Sequence, residues 1–379
     1  MHSRWLLALG FVFLLSPAHA DKVSTRKVDV SNQSVFPMRW HQSLVRQGTH
    51  RETSFSMGRP AVSNQHNLVV VGTAEGMLYG LDTRSGDTVW TSEHAAEFEA
   101  FGTIAKLKSG EVVVLLSTRD GSFHAVSTET GETRWSTDLG AESRAESVVV
   151  DGNALVATTR SELFLLDTES GERVWTKRRT QPGGMTVLGH SRPLVHDSVV
   201  YLGFADGYVA AYDLKTGKEI WSMPASLEQG RFQDVDSDPV LIQGKLIVAS
   251  YASGIMALDP KTGKPLWKQS ASGINRVAGD ENRLFAASGD GYVWRLNPNN
   301  GNVQYRVKVE SGPISRMILR GSVLMFTGGP NGLVVLDAGS GKPIQATAIR
   351  GGANSEPNWS DLGIFVLGNR GDLYAFDIR

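Results

Sequence analysis

Apolar runs alternate with short polar turns along most of the chain of 379 residues. Runs of valine, isoleucine, leucine and aromatic residues recur, as in VVYLGFADGYVAAYDLKTGKEIW at 199–221 and LIVASYASGIMALDPKTGKPLW at 246–267. Such runs favour strands that are buried on one or both faces. No segment keeps the i, i+3, i+4, i+7 apolar spacing of an amphipathic helix over any length. The pattern therefore predicts an all-β chain.

Two kinds of turn separate the runs and repeat with them. Asp-Gly pairs at 120–121, 206–207 and 290–291 predict tight hairpins, because such turns need positive φ. A second turn, such as Asp213 to Gly217, joins an aspartate that bonds the turn backbone to a glycine for the left-handed conformation. Its glycine recurs every 38 to 46 residues, at Gly86, Gly131, Gly171, Gly217, Gly263, Gly301 and Gly341. The chain is therefore built from internal repeats.

A repeat of about 40 residues with four short strands is typical of a propeller blade. Seven full copies are followed by a truncated one, IFVLGNRGDLYAF at 364–376. This last copy lacks an outer strand, and the lone strand-like run VFPMRWHQSL at 35–44 can supply it. Pairing the two ends would close the ring and remove the free edges of an open sheet. We predict a single eight-bladed β-propeller over residues 35–379, closed by the N-terminal strand.

Six tryptophans occupy the same place in the repeat: Trp40, Trp90, Trp135, Trp175, Trp221 and Trp267. Because a large apolar ring can fill the wedge between two blades, we predict that each one docks its blade on the next. The alternative is an aromatic cage for a cofactor. The sixth and seventh copies carry Tyr305 and Ala346 at this place, so we expect weaker seams there.

The first twenty residues, MHSRWLLALGFVFLLSPAHA, do not follow the repeat. One basic residue, a short apolar run and the sequence Ala18-His19-Ala20 are typical of a secretory signal peptide cleaved after Ala20. Residues 21–34 are expected to form a flexible segment. No later stretch approaches the roughly 20 apolar residues of a membrane-spanning helix. We therefore expect export to the periplasm and no transmembrane segment.

The charge balance, the cysteine content and the absence of catalytic motifs exclude several classes of function. The 38 basic and 39 acidic residues nearly balance, which argues against a nucleic-acid-binding protein. Cysteine is absent, so the core must hold without disulfides and no thiol is present to carry a lipid. The nine histidines lack the spacing of metal ligands. No P-loop, nucleophile elbow or dinucleotide fingerprint occurs in a fitting context. We expect no enzymatic activity, no cofactor and no metal.

The stretch RFQDVDSDPV at 231–240 sets three aspartates at alternate positions, which an extended segment would project to one side. Calcium binding is one interpretation, although an EF-hand loop would have Gly and Glu where Pro239 and Lys245 stand. A glycosidase pair would need a second acid across a cleft. Turn capping suits Asp236 and Asp238. Contact with a protein partner is the fourth interpretation.

The run Ala-x-Asp-x-x-Thr-Gly-x-x-x-Trp, intact at 211–221 and 257–267, resembles the tryptophan-docking motif of eight-bladed quinoprotein-like propellers. Within that superfamily, two stretches resemble the BamB family, the propeller subunits of the bacterial outer-membrane β-barrel assembly machinery. RFQDVDSDPV is similar to the family's Arg-Leu-x-Asp-Val-Asp-x-x-Pro segment. MTVLGHSRPLV at 185–195 is similar to its Leu-x-Leu-Arg-Gly-x-x-x-Pro segment.

In the BamB family these segments are neighbouring loops that bind a periplasmic POTRA domain of the barrel-inserting subunit. The resemblance implies acidic contacts at Asp234 and Asp236 and apolar contacts at Met185 and Val187. The family's arginine falls on Leu188, a departure that removes one polar contact. The resemblance also implies unfolded outer-membrane proteins as further partners, and a monomer within a hetero-complex. Family members usually carry a lipid-anchor cysteine, which this sequence lacks.

The sequence thus predicts a non-catalytic scaffold at the periplasmic side of the outer membrane, which assists the insertion of outer-membrane proteins. Two alternatives stay open. A periplasmic oxidoreductase dependent on pyrroloquinoline quinone would share the fold, although such enzymes are typically longer and many have a disulfide of adjacent cysteines. A propeller scaffold for another periplasmic partner is the second alternative.

Overall fold

The structure is a computed structural model, and it describes residues 34–44, 58–98, 101–179, 191–225, 234–235, 237–309 and 312–378. Within them the chain forms 32 β-strands and one 3₁₀ turn at Gly329–Asn331. The strands make eight antiparallel sheets of four, which confirms the predicted all-β propeller of eight blades. Residues 1–33, which cover the expected signal peptide and most of the expected flexible segment, lie outside the described residues. No helix in the described ranges is long and apolar enough to cross a membrane.

Strand β1, Met38–Ser43, comes first in the chain and belongs to the last blade. Blade 1 contains β2 to β5: Ala61–Ser63, Leu68–Gly72, Met77–Asp82 and Thr88–Glu93. Blade 2 contains β6 to β9: Thr103–Lys106, Val112–Ser117, Ser122–Ser127 and Thr133–Asp138. Blade 3 contains β10 to β13: Val148–Val150, Asn153–Ala157, Glu162–Asp167 and Arg173–Arg178. Blade 4 contains β14 to β17: Leu194–His196, Val199–Gly203, Tyr208–Asp213 and Glu219–Pro224.

Blade 5 contains β18 to β21: Val240–Ile242, Lys245–Ser250, Gly254–Leu258 and Pro265–Gln269. Blade 6 contains β22 to β25: Ile274–Gly279, Leu284–Ser288, Tyr292–Leu296 and Val303–Lys308. Blade 7 contains β26 to β29: Ile318–Arg320, Val323–Gly328, Gly332–Asp337 and Pro343–Thr347. Blade 8 contains β30 to β32, Asn358–Ser360, Gly363–Leu367 and Asp372–Phe376, together with β1.

The strands of each blade run alternately in opposite directions, from the innermost strand at the channel to the outermost strand at the rim. The connection from an outermost strand to the next blade's innermost strand therefore always lies at the same end of the ring. We call this end the linker face. The connections from β13 to β14 and from β17 to β18 both lie on it, and they contain the two segments that resemble the family's loops.

Apolar packing between neighbouring blades forms the core. One cluster joins Leu115 and Phe123 of blade 2 to Val156 and Phe164 of blade 3. The middle strands are buried on both faces, and all six residues of β7 are buried. The outermost strands alternate exposed and half-buried positions. This difference explains why the sequence shows continuous apolar runs, followed by a more polar strand that ends the repeat.

The first and last strands close the ring. Strand β1 pairs antiparallel with β32, and Trp40 lies opposite Ala375. Arg39 holds the joint, because its Nε donates to Asp377 Oδ1 at 2.6 Å while its Nη1 donates to Thr83 O and Leu362 O, each at 2.9 Å. One side chain thus connects the two chain ends and blade 1, and the predicted closure is confirmed.

The six tryptophans of the repeat all make the same contact. Trp90 donates from its indole Nε1 to Thr128 O of blade 2 at 3.0 Å, and its ring lies against the turn glycine Gly131. The indoles are half-buried rather than fully enclosed. The other five donate equivalently to Thr83, Thr168, Leu214, Pro260 and Pro298. Tyr305 contacts the seam in the same way, with its hydroxyl donating to Ala338 O at 3.1 Å.

The seam between blades 7 and 8 differs from the sequence prediction. The pairing of β28 with β29 puts Gln345, not Ala346, at the tryptophan position, so the expectation for Ala346 is wrong by one residue. Gln345 is 3 % exposed. Its Nε2 donates to Phe36 O at 2.9 Å, and the Phe36 N–H donates to Gln345 Oε1 at 2.8 Å. The N-terminal segment thus occupies the place of the missing indole.

Candidate partner-binding site

The two segments predicted to bind a partner leave neighbouring blades on the linker face. The first segment, residues 180–192, leads into β14, and the second segment, residues 226–238, leads into β18. Met185, Val187 and Leu188 of the first segment lie outside the described residues, as does Asp236 of the second. The structure therefore describes the C-terminal ends of both segments, 191–192 and 234–238 without Asp236, and among the predicted partner contacts it describes Asp234.

Val235 anchors the second segment on blade 4. The Val235 N–H donates to Phe204 O at 3.2 Å, and the Val235 side chain is buried against Gly203. Asp234 is only 2 % exposed and interacts with other groups of the chain. Its carboxylate is thus largely covered in the free chain, and its contact with a partner stays a prediction.

Asp238, the third aspartate of the stretch, binds two arginines. Its Oδ1 accepts the backbone N–H of Arg192 at 2.7 Å, and its Oδ2 lies 2.7 Å from Arg316 Nε. Burial alone would raise the pKa of the Asp238 carboxyl, but the charges of Arg316 and Arg192 outweigh burial and lower that pKa. This backbone donor lies 46 residues away, so the bond is not the local turn cap expected from the sequence, and the carboxylate also belongs to a larger cluster of charges.

Six side chains of alternating charge form a closed ring around the channel, which we call the ion ring: Arg59, Glu146, Arg192, Asp238, Arg316 and Glu356. Glu146 contacts both Arg59 and Arg192 directly. On the far side, Glu356 lies 3.5 Å from Arg316 and 3.7 Å from Arg59. Each arginine therefore lies between two carboxylates, which is how charges can remain ionised where they are largely withdrawn from water.

The repeat itself explains the ring. Each member lies two residues before the innermost strand of its blade, where the chain reaches the channel on the linker face. In blade 2 this place holds Phe101, and Arg316 lies over its ring with the guanidinium carbon 4.9 Å from the centroid. In blade 6 the innermost strand β22 begins earlier, and its pairing with β23 places Arg276 at the position equivalent to the ring members. Arg276 donates from Nη1 to Asn275 O at 2.7 Å and adds a positive charge that lowers the pKa of Asp238.

A serine fixes the backbone just before four of these charged residues. Ser237 Oγ accepts the Ala249 N–H at 2.8 Å, and Ser315 Oγ accepts the Thr327 N–H at 2.9 Å. The serines at the other two places, Ser191 and Ser355, likewise bond the second strand of their own blade. The ring was not predicted from the sequence, although Ser-Arg-Pro, Ser-Asp-Pro, Ser-Arg-Met and Ser-Glu-Pro recur in register with the blades. That repeated signal could have revealed it.

The channel beside the ion ring contains a cavity of about 290 Å³. Its wall combines charged ring members with apolar residues such as Leu194, Val240 and Leu319. The described residues contain no group of three or more histidine, aspartate or glutamate side chains that could hold a metal ion. Because Asp238 is bound to two arginines, the calcium interpretation of the three aspartates does not fit this arrangement.

A sequence model of the family described as "Outer membrane protein assembly factor BamB" matches residues 74–307. The chain belongs to the BamB family. The BamB of Vibrio cholerae is 34% identical over 229 residues, which cover 58% of this chain and 58% of that protein. The BamB of Legionella pneumophila is 24% identical over 200 residues, 51% of this chain and 52% of that protein. These matches span little more than half the length of the two relatives.

Solved structures agree on the BamB-like fold. The crystal structure of BamB from Moraxella catarrhalis superposes with a TM-score of 0.74 at 19% identity, covering 90% of this chain and 99% of that one. At this identity the likeness shows the fold alone. The quinohemoprotein alcohol dehydrogenase of Comamonas testosteroni superposes with a TM-score of 0.70 at 14% identity, covering 91% of this chain and 76% of that one. Its sequence matches at 31% identity over 109 residues, 15% of that protein, so sequence similarity to the enzyme is confined to a few repeats.

Proposed function

We propose that this protein is a non-catalytic scaffold of the outer-membrane β-barrel assembly machinery, and that it binds a POTRA domain of the barrel-inserting subunit through the first and second segments. Membership of the BamB family supports the role. The observation that carries the site is the bond between Arg192 and Asp238, which joins the ends of the two segments on the linker face. Two loops rooted side by side can present one continuous surface to a partner.

The partner contacts divide between the segments by chemistry. Met185 and Val187 supply an apolar centre that excludes water, with Leu188 where the family has arginine. Asp236 supplies the charge for a basic group of the POTRA domain, because an ion pair beside an apolar anchor contributes more than one in open solvent. The same role is proposed for Asp234, which is only 2 % exposed in the free chain.

The same proposal covers the location of the protein. Residues 1–20 direct export as a cleavable signal peptide, and residues 21–34 form the flexible segment expected before the propeller. The propeller acts at the periplasmic side of the outer membrane. Binding to the barrel-inserting subunit retains it there. Unfolded outer-membrane proteins are further partners of the assembled complex.

Charge reversal at one proposed contact, Asp236, tests this function. We expect Asp236→Lys to weaken binding to the purified POTRA region by at least about tenfold, or roughly 1.4 kcal/mol, because a basic partner group would then meet a like charge. The matched control is Asp87→Lys, since Asp87 lies on an exposed turn at the opposite end of the ring from the linker face. Isothermal titration calorimetry measures both. Equal affinities for the two variants, or no binding by the wild-type chain, would overturn the proposal.

A further inference from the structure

Gly203, the last residue of β15, contacts the ends of both segments. Its N–H donates to Ser191 Oγ at 3.3 Å, where the first segment ends. Its Cα packs on Val235 of the second segment, so closely that a Cβ at position 203 would lie 2.5 Å from Val235 Cγ1 and from Val235 O. No side chain fits between these groups. The spacing of the two segment ends at this point therefore depends on a glycine.

Arg192 and Asp238 provide a second link between the same segment ends. Besides the backbone bond of 2.7 Å, Arg192 Nη2 lies 3.5 Å from Asp238 Oδ2. The rest of the ion ring holds this pair from both sides, because Glu146 contacts Arg192 and Arg316 contacts Asp238. The Asp238 side chain is only 13 % exposed, so separating the pair would leave a poorly hydrated charge. The link is therefore stiff.

We propose that Gly203 and the Arg192–Asp238 pair are positioning residues, which hold the first and second segments at the spacing that a POTRA domain recognises. This inference rests on the proposed function, and it assigns the ion ring a role beyond stability. Preorganised loops lose less conformational freedom on association, so fixing their ends raises affinity without adding a contact. Substitution of Gly203 or Asp238 should then weaken binding. Gly203 and Val235 are covered by the chain itself, so such an effect would not come from a lost contact with the partner.

The fold supplies a matched control on blade 1. Gly72, the last residue of β3, packs on Phe98 as Gly203 packs on Val235, and an added Cβ would overlap the Phe98 ring. The backbone bonds also correspond, since the Phe98 N–H donates to Thr73 O at 3.0 Å. Gly72→Ala therefore imposes the same kind of strain at a place remote from both segments. The two alanine variants should lose similar thermal stability.

We expect Gly203→Ala to weaken binding of the purified POTRA region at least tenfold, while Gly72→Ala stays within twofold of the wild-type affinity. Asp238→Asn gives a second route to the same effect, because it removes the charge that holds Arg192 and leaves the backbone in place. Calorimetric affinity and melting temperature are measured for all three variants. A purely structural role would lower the melting temperatures and leave affinity alike in all three.

The outcomes separate this inference from the proposed function. If the wild-type chain does not bind the POTRA region, the proposed function fails, and the inference fails with it. If the wild-type chain binds and Asp236→Lys does not, yet Gly203→Ala and Asp238→Asn bind as tightly as the wild type, only the positioning role is overturned. Should Gly203→Ala fail to fold, Asp238→Asn alone decides, with Gly72→Ala still marking the effect of strain without displacement of the segments.

Discussion

A turn glycine of the repeat meets two requirements at once. Gly131 has a φ of +76°, a conformation that L-residues with a side chain adopt only with strain. It also lies under the Trp90 ring, where an added Cβ would be 2.5 Å from Cε3. Either requirement alone would favour glycine. Together they explain why the turn glycine and the tryptophan recur as a pair through the repeat.

Replacing Gly131 by alanine should separate these two effects. The control is Gly140→Ala, because Gly140 has a similar φ of +74° but no atom within 4 Å of an added Cβ. We expect Gly140→Ala to cost about 1 kcal/mol from backbone strain. Gly131→Ala should cost roughly 1–3 kcal/mol more, because the indole must also move. The free energies of unfolding in denaturant measure both, and equal losses would contradict a role for the indole contact.

At the scale of elements, β1 differs from every other outermost strand. It reaches its blade from the far end of the chain, and its contacts bring together parts of the ring that are distant in sequence. Arg39 bonds Thr83 of blade 1, and Phe36 bonds Gln345 of blade 7. Blade 8 is thus held to both neighbours partly through the N-terminal strand. Loss of β1 would expose the unpaired edge of β32, and it would weaken the seams of blade 8 with blade 7 and with blade 1.

Truncation tests this dependence. Deleting residues 21–45 should lower the melting temperature and promote aggregation, because β32 would present free N–H and C=O groups to other chains. Deleting residues 21–33 alone is the control, since it leaves Phe36, Arg39 and Trp40 in place. Thermal unfolding and light scattering after size exclusion report on both truncations. A monomeric 21–45 deletion with wild-type thermal stability would show that the strand does not close the ring.

For the molecule as a whole, the sequence predicted those features of the fold that depend on local signals. Strand order, blade number and closure follow from a repeat in which each copy carries its own turns and apolar runs. The ion ring was missed because its pairs are remote: Asp238 and Arg316 lie 78 residues apart, and either alone looks like an ordinary turn residue. The error at Ala346 had a local cause. The turn glycine marks the register even without a tryptophan, because Gly341 lies four residues before Gln345 as Gly86 lies four residues before Trp90, and the assignment to Ala346 did not use that spacing.

The ring also bears on the enzymatic alternative, which shares the fold. An anionic quinone in the channel would need positive charge and a metal-binding carboxylate, but Arg316, Arg192 and Asp238 already bind one another. We therefore expect no stoichiometric absorbance change when pyrroloquinoline quinone and Ca²⁺ are titrated into the protein, and no dye-linked oxidation of alcohols or sugars. The apo form of a quinoprotein alcohol dehydrogenase, reconstituted in the same assay, is the positive control. Saturable binding at one quinone per chain with turnover would make the oxidoreductase interpretation the better one, and would require the ion ring to open around the cofactor.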